Sequence, residues 1–270
     1  MRTLGVTIVM ALILAACGGG DTGEEAKPTV PEGTTGGVII EISDEGGFVP
    51  IEFNLQRVPR FTVFSDGTVI TPSREQFTFP GPAVPPLVQH QLDDATVADL
   101  LAFVDDLDLA AIDVLDLNNA PNVADASTTV VRYYDEAGEH RLSVYALGFD
   151  GPGADARFAI LESMIATLTD ATTGPGDDYR PERLAVFVQE ASFLGLEQSR
   201  DGGAWPLSTT PDDLPIADDV HSLACFTVEG DEAEAALSAL GAADSVTTWD
   251  FGGVGYRLLA RPLLSHQDGC

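Results

Sequence analysis

Four histidines, His90, His140, His221 and His266, are the side chains best suited to move a proton or bind a transition metal near neutral pH. They are scattered along the chain. A histidine-based zinc site needs three or four convergent ligands, and neither H-E-x-x-H nor another spaced pair is present. A serine nucleophile needs an activating frame. G-x-S-x-G is absent, and Ser163 in LESM and Ser192 in EASF stand without one. Gly151-Pro-Gly153 reads as a turn and GGVG at 252–255 as part of a hairpin, so neither fits a nucleotide-binding loop. Carboxylates are so frequent that pairs such as Asp93-Asp94 and Asp212-Asp213 arise by chance. The stretch richest in oxygen ligands holds Asp113, Asp116, Asn118 and Asn119, at the exit of an expected helix. Weak extracellular calcium sites accept flexible oxygen ligands, which makes Asp113, Asp116 and Asn118 the calcium candidates. The central glycine and distal glutamate of an EF-hand are missing. No residue stands out as catalytic, and calcium is the one cofactor to consider.

Trp205-Pro206 opens a polar, proline-rich loop, AWPLSTTPDDLP, and is the candidate partner-binding feature. There a rigid aromatic faces an envelope protein or a small ligand. In the competing reading Trp205 folds back to cap a sheet. Trp249, in the alternating segment VTTW, is expected in a core.

Residues 1–16, MRTLGVTIVMALILAA, carry one charge, Arg2, followed by an apolar run. The run is shorter than the roughly 20 residues of a membrane span and has the build of a secretory signal. Its end, Leu14-Ala15-Ala16-Cys17, resembles the lipobox of bacterial lipoproteins. The resemblance implies a thioether-linked diacylglycerol on Cys17 and cleavage that leaves Cys17 as the new N-terminus. It also implies an exported protein held at the outer face of the cell membrane, with the bilayer as partner. Two acyl chains suffice for stable anchoring. Residues 17–36, rich in Gly, Pro, Thr and acids, form a flexible tether.

Three cysteines are an awkward number for an exported chain. Lipidation removes Cys17 from the count. Cys225 and Cys270 are then expected to pair, closing a loop of about 46 residues worth roughly 4 kcal/mol at most.

Behind these residues stands an alternation of strands and helices. FTVFSDGTVITP (61–72) reads as a hairpin turning at Asp66-Gly67, and PLVQHQLD (86–93) as a strand. A helix follows, N-capped by Asp93 or Asp94, with Val97, Leu100, Leu101 and Val104 on one stripe. Residues 128–147 read as two strands around DEAG, and 156–170 as a helix with Phe158, Leu161, Ile165 and Leu168 inward. Strands at 183–191 and 221–228, a helix at 230–241 and a hairpin at 245–264 complete the pattern. Residues 46–59 read as irregular or as a proline-broken strand. The expected class is α+β, with mostly antiparallel sheets, hairpins and backing helices. Two stretches share the order strand, turn, strand, helix, which fits either a repeated ββα plan or the commonness of that motif. The aperiodic NNAPNVAD suggests a first unit at 37–120 and a second at 121–270, either separate or packed as one domain.

RFTVFSDGTVI (60–70), TTVVRYY with GEHRLSVYALG (128–148) and RPLL near the terminal Cys270 are similar to exported lipoproteins of high-GC Gram-positive bacteria. That resemblance brings no catalytic residue with it.

Charge excludes one class of function. The chain carries 43 acidic and 13 basic residues, a formal net charge of -30, and so repels nucleic acid and anionic headgroups. What remains is a membrane-anchored, non-enzymatic binding or envelope-associated domain. The alternative is an extracytoplasmic hydrolase, which requires a pocket gathering Ser or Asp with His140 or His221.

Overall fold

The computed structural model describes residues 37–73, 79–118, 123–149, 155–193, 199–214, 216–218 and 223–270. Cys17, His221 and the tether lie outside them. The elements form an α+β fold with two sheets, the class expected from the sequence.

The first sheet has eight strands in the order β5-β7-β6-β1-β2-β3-β4-β8. They are β1 (Val38–Gly46), β2 (Phe61–Phe64), β3 (Thr68–Pro72), β4 (Leu87–Gln91), β5 (Val114–Asn118), β6 (Ser127–Asp135), β7 (Gly138–Tyr145) and β8 (Asp177–Tyr179). All neighbours are antiparallel except β5 and β7. The β2–β3 hairpin turns where expected. Gly67 has a φ of 81°, and the Asp66 carboxylate accepts the Thr68 amide at 2.9 Å. Asp135 does the same at the next hairpin, accepting the amides of Ala137 and Gly138.

Two helices cover one face of this sheet. Helix α2 (Asp94–Asp106) starts at Asp93, whose side chain accepts the Thr96 amide. Helix α3 (Ala156–Ala171) starts at Asp155, which accepts the Arg157 amide. Val97, Leu100 and Val104 meet Phe158, Leu161, Met164, Ile165 and Leu168 over Ile40, Ile42, Val63, Val131 and Leu142. Full burial of each such side chain contributes roughly 1.5–3 kcal/mol.

The second sheet has six strands in the order β10-β13-β14-β9-β12-β11. They are β9 (Arg183–Glu190), β10 (Arg200–Ala204), β11 (Ile216–Asp218), β12 (Leu223–Glu229), β13 (Thr247–Phe251) and β14 (Val254–Leu263). Helix α4 (Gly230–Leu240) packs Ala233, Ala236 and Leu240 into its core.

The region around residue 120 is not a boundary between sheets. β1 pairs with β6 and β4 with β8, so strands on both sides of it share one sheet, and the second sheet begins only at Arg183. The hairpin–helix order occurs twice inside that first sheet, leading into α2 and α3. Residues 51–55 also depart from expectation. They form a short helix, α1 (Ile51–Leu55), after Pro50. Proline serves well at a helix start because its missing N–H is not needed there.

After β14 the chain crosses back to the first sheet. Leu264 packs with Ile70 and Leu87, His266 Nε2 meets Glu41 Oε2 at 2.8 Å, and Cys270 is disulfide-bonded to Cys225 on β12. The Cα atoms of that pair are 5.8 Å apart.

Candidate functional site

Helices α2 and α3 leave part of their sheet face uncovered. Cross-strand register places Thr71 opposite Val88 and Val69 opposite His90 on that face, with Phe61 nearby on β2. Beyond the C-terminal end of α3, Phe61, Thr71, Val88 and His90 floor a cleft of about 1060 Å³. Thr169, Thr172 and Thr173 form one wall, the α1 segment a second, and Phe79, Pro82 and Pro85 a third. His90 is half-buried, and a Cβ at Gly176 would come within 2.7 Å of its Nε2. Only glycine fits there without moving the ring.

The α1 segment is held at three points, which explains how five residues with no buried side chain keep their place. Glu52 Oε1 accepts from Arg257 Nη1 at 2.8 Å. Gln56 Nε2 donates to the carbonyls of Pro82 and Ala83, at 3.1 and 2.7 Å. Arg57 donates to the carbonyls of Asp44 and Gly46 at the end of β1. The latch therefore joins α1 to both sheets. Arg257 is 2% exposed, and its Nη2 also donates to Gln189 Oε1 at 2.6 Å. Burial pushes the Glu52 pKa up, but the hydrogen bond and charge of Arg257 outweigh it and hold Glu52 below the usual carboxylate range.

The rim is apolar and open. Phe53 is 47% exposed and Phe79 88%, and Phe48, Val49 and Ile51 are exposed just before them. A continuous apolar edge of this kind beside a concavity is characteristic of a binding surface.

No family model, no curated protein and no solved structure matches this chain.

The residues singled out by sequence are dispersed. Trp205 does not project. It is half-buried, with its Nε1 donating to the Thr209 carbonyl at 2.9 Å and its ring edge-on to Phe251 and Tyr256. Pro206 is half-buried beside it, and Glu232 of α4 ties the loop down by accepting the Ser208 amide. This is the capping arrangement rather than the presented aromatic. Asp113 and Asp116 are exposed, and Asp116 Oδ1 accepts from Arg141 Nη1 at 3.3 Å. The Asn118 side chain and Asn119 lie outside the described residues. Among those described, no group of three or more His, Cys, Asp or Glu could hold a metal. No described helix is long and apolar enough to cross a membrane.

His140 is 5% exposed and has an acid beside it, yet it is not arranged as a catalytic base. Its Nε2 bonds Asp135 Oδ1 at 3.0 Å and its Nδ1 the Ile112 carbonyl at 2.8 Å. Both partners are acceptors, so a ring protonated on both nitrogens donates to each of them. No ring nitrogen remains to take a proton from a nucleophile. Burial pushes the His140 pKa down, but Asp135 and the Ile112 carbonyl outweigh it and raise it above the ordinary histidine value. Asp135 is correspondingly lowered. A raised histidine stabilises the fold fully below its unfolded pKa and loses that contribution as pH climbs through its folded value. A lowered aspartate stabilises above its unfolded pKa and loses that contribution in acid. Melting temperature is therefore expected to fall on the alkaline side of neutrality by more in the wild type than in His140→Asn. Parallel profiles of melting temperature from pH 5 to pH 9 would count against the double-donor assignment.

Sequence reasoning missed the cleft because its parts come from four distant segments. One cue was available. Pro50 just before the segment fits a helix start, although Ile-Glu-Phe-Asn-Leu itself alternates with a period of two and reads as a strand.

Proposed function

We propose that this protein is a lipid-anchored extracytoplasmic binding domain whose ligand occupies the cleft beneath α1. The observation that carries the reading is the cleft itself, a concavity of about 1060 Å³ with an exposed aromatic rim and a latched wall. Its size suits a small organic molecule, and its mix of apolar walls with a few polar groups is typical of ligand sites. Lipid on Cys17 supplies the anchor, and residues 18–36 supply the reach. The tether joins β1 at Val38, whereas Asp44 toward the other end of that strand lines the cleft. The separation is about 20 Å along the strand. A hydrolytic role is less well supported, since His140 has no nitrogen to spare.

A two-part experiment tests this. The mature protein is expected to exceed its polypeptide mass by roughly 0.5–0.6 kDa, and a Cys17→Ser variant to lose that increment. A small-molecule screen by thermal shift is expected to give hits that raise the wild-type melting temperature by several degrees. Thr172→Trp, which fills the cleft from the end of α3, is expected to abolish them. Hits that survive Thr172→Trp would place the ligand elsewhere.

A further inference from the structure

The arginines of this chain can be accounted for one by one. Among the described residues, Arg132, Arg141, Arg157, Arg180, Arg200 and Arg257 each pair with a carboxylate. In a protein with 43 acids and 13 bases that is the expected fate of a cation. Four described arginines have no carboxylate partner among the described residues. Two of them, Arg183 and Arg261, donate to the carbonyls of Gln267 and Gly269 and hold the C-terminal segment. The other two are Arg57 and Arg60, and both line the cleft.

Their surroundings differ from those of the paired arginines. Among the described residues Arg57 donates to the backbone carbonyls of Asp44 and Gly46 and to no carboxylate. Arg60 is exposed, and its guanidinium lies over the Phe61 ring, 5.4 Å from the centroid. That contact orients the planar fork and leaves its N–H donors to a ligand. The two acids of the cleft are engaged. Glu52 is bound by Arg257, and Asp44 Oδ1 accepts from Thr129 Oγ1 at 3.0 Å. Beside the arginines stand Phe53, Phe79 and a set of prolines.

We infer that the cleft binds an organic anion, an acidic group joined to an aromatic or otherwise apolar body. The acidic group meets Arg60 with Arg57 behind it, and the body lies against the aromatic rim. Guanidinium takes carboxylate, sulfonate or phosphate oxygens in pairs, and partial exclusion of water strengthens the contact. The chain as a whole is strongly negative and repels the same molecule, so the two arginines of the cleft favour binding there. This inference rests on the cleft being a ligand site and adds the charge and class of what fills it.

The test uses two fluorescent probes with the same aromatic body, anilinonaphthalenesulfonate and the uncharged N-phenylnaphthylamine, titrated into the full chain. The sulfonate is expected to bind at least about tenfold more tightly, and to weaken as salt is raised. Arg60→Gln is expected to erase that advantage while leaving the neutral probe and the melting temperature unchanged. Phe53→Ser, at an exposed rim position, is expected to weaken both probes. Equal affinities, or a sulfonate affinity untouched by Arg60→Gln, would overturn the anion preference. If Phe53→Ser still weakened the neutral probe, the cleft would stand as a binding site of another class. Binding of neither probe would overturn both.

Discussion

Glu52→Ala is expected to be among the most damaging single substitutions in this protein, although Glu52 sits on a five-residue helix at the surface. The reason is Arg257. Its guanidinium is buried in the second sheet, and Glu52 is its only carboxylate partner among the described residues. Removing one partner of a buried pair leaves an uncompensated charge and costs about 3–5 kcal/mol. For a chain of this size that lowers the melting temperature by about 10 °C. Glu52→Gln keeps an acceptor but loses the charge, and falls between wild type and alanine. The double variant Glu52→Leu/Arg257→Met removes both charges and is expected to recover most of the loss, since apolar replacements of buried pairs are often neutral or better. Thermal melts of the three variants decide the matter. A Glu52→Ala variant as stable as wild type would show that the latch is decorative. The pair also gives a sign in acid. Glu52 has a lowered pKa, so its contribution is present above the ordinary glutamate range and is lost as pH falls through the folded value.

Loss of the Cys225–Cys270 disulfide is the second large effect. The two cysteines are 45 residues apart, and the loop-closure model assigns the cross-link about 4 kcal/mol at most. The structure adds a local consequence. Between Leu263 and Cys270 the chain lays His266 and Gln267 on Glu41, whose carboxylate is 5% exposed and also bound by Arg132 at 3.2 Å. Freed at Cys270, that segment leaves Glu41 with fewer partners inside the protein. Cys225→Ser/Cys270→Ser is therefore expected to melt well below wild type. It is also expected to exchange amide hydrogens faster on β1 near Glu41, some distance from either sulfur in sequence. Hydrogen exchange confined to residues 264–270 would limit the bond to pinning a terminus.

How far the sequence foretold this depends on the range of the interaction. Local chemistry was legible. Asp66-Gly67 made its hairpin, Asp93 capped its helix, and the inward stripe of Phe158, Leu161, Ile165 and Leu168 is buried. These features depend on neighbours within a few residues. The strands β5, β8, β10 and β11 were not legible. They are short, they sit at sheet edges or rims, and their residues acquire strand geometry only from a partner. β10, Arg-Asp-Gly-Gly-Ala, is exposed throughout and has no strand propensity of its own. The candidate site was almost illegible for the same reason. Arg57 and Arg60 stand in the sequence as ordinary cations. They become distinctive only when every other described arginine has been matched with its partner. For Trp205 the sequence left two readings, presented or folded back, and the choice needs Phe251 and Tyr256 beside the ring, which no local pattern supplies.

The latch on α1 also sets an order of events. Glu52 waits 205 residues for Arg257, and Glu41 waits 225 for His266. The hairpins and helices of the first sheet can form from near neighbours, as can the Gln56 and Arg57 points of the latch, but its Glu52 point needs β14. Contacts so distant in sequence are slow to form, because a long loop must be ordered before they reward it. The α1 segment is thus completed by a strand about 200 residues further along, so a substitution that weakens β14 is expected to be felt at this wall of the cleft as well as in the second sheet.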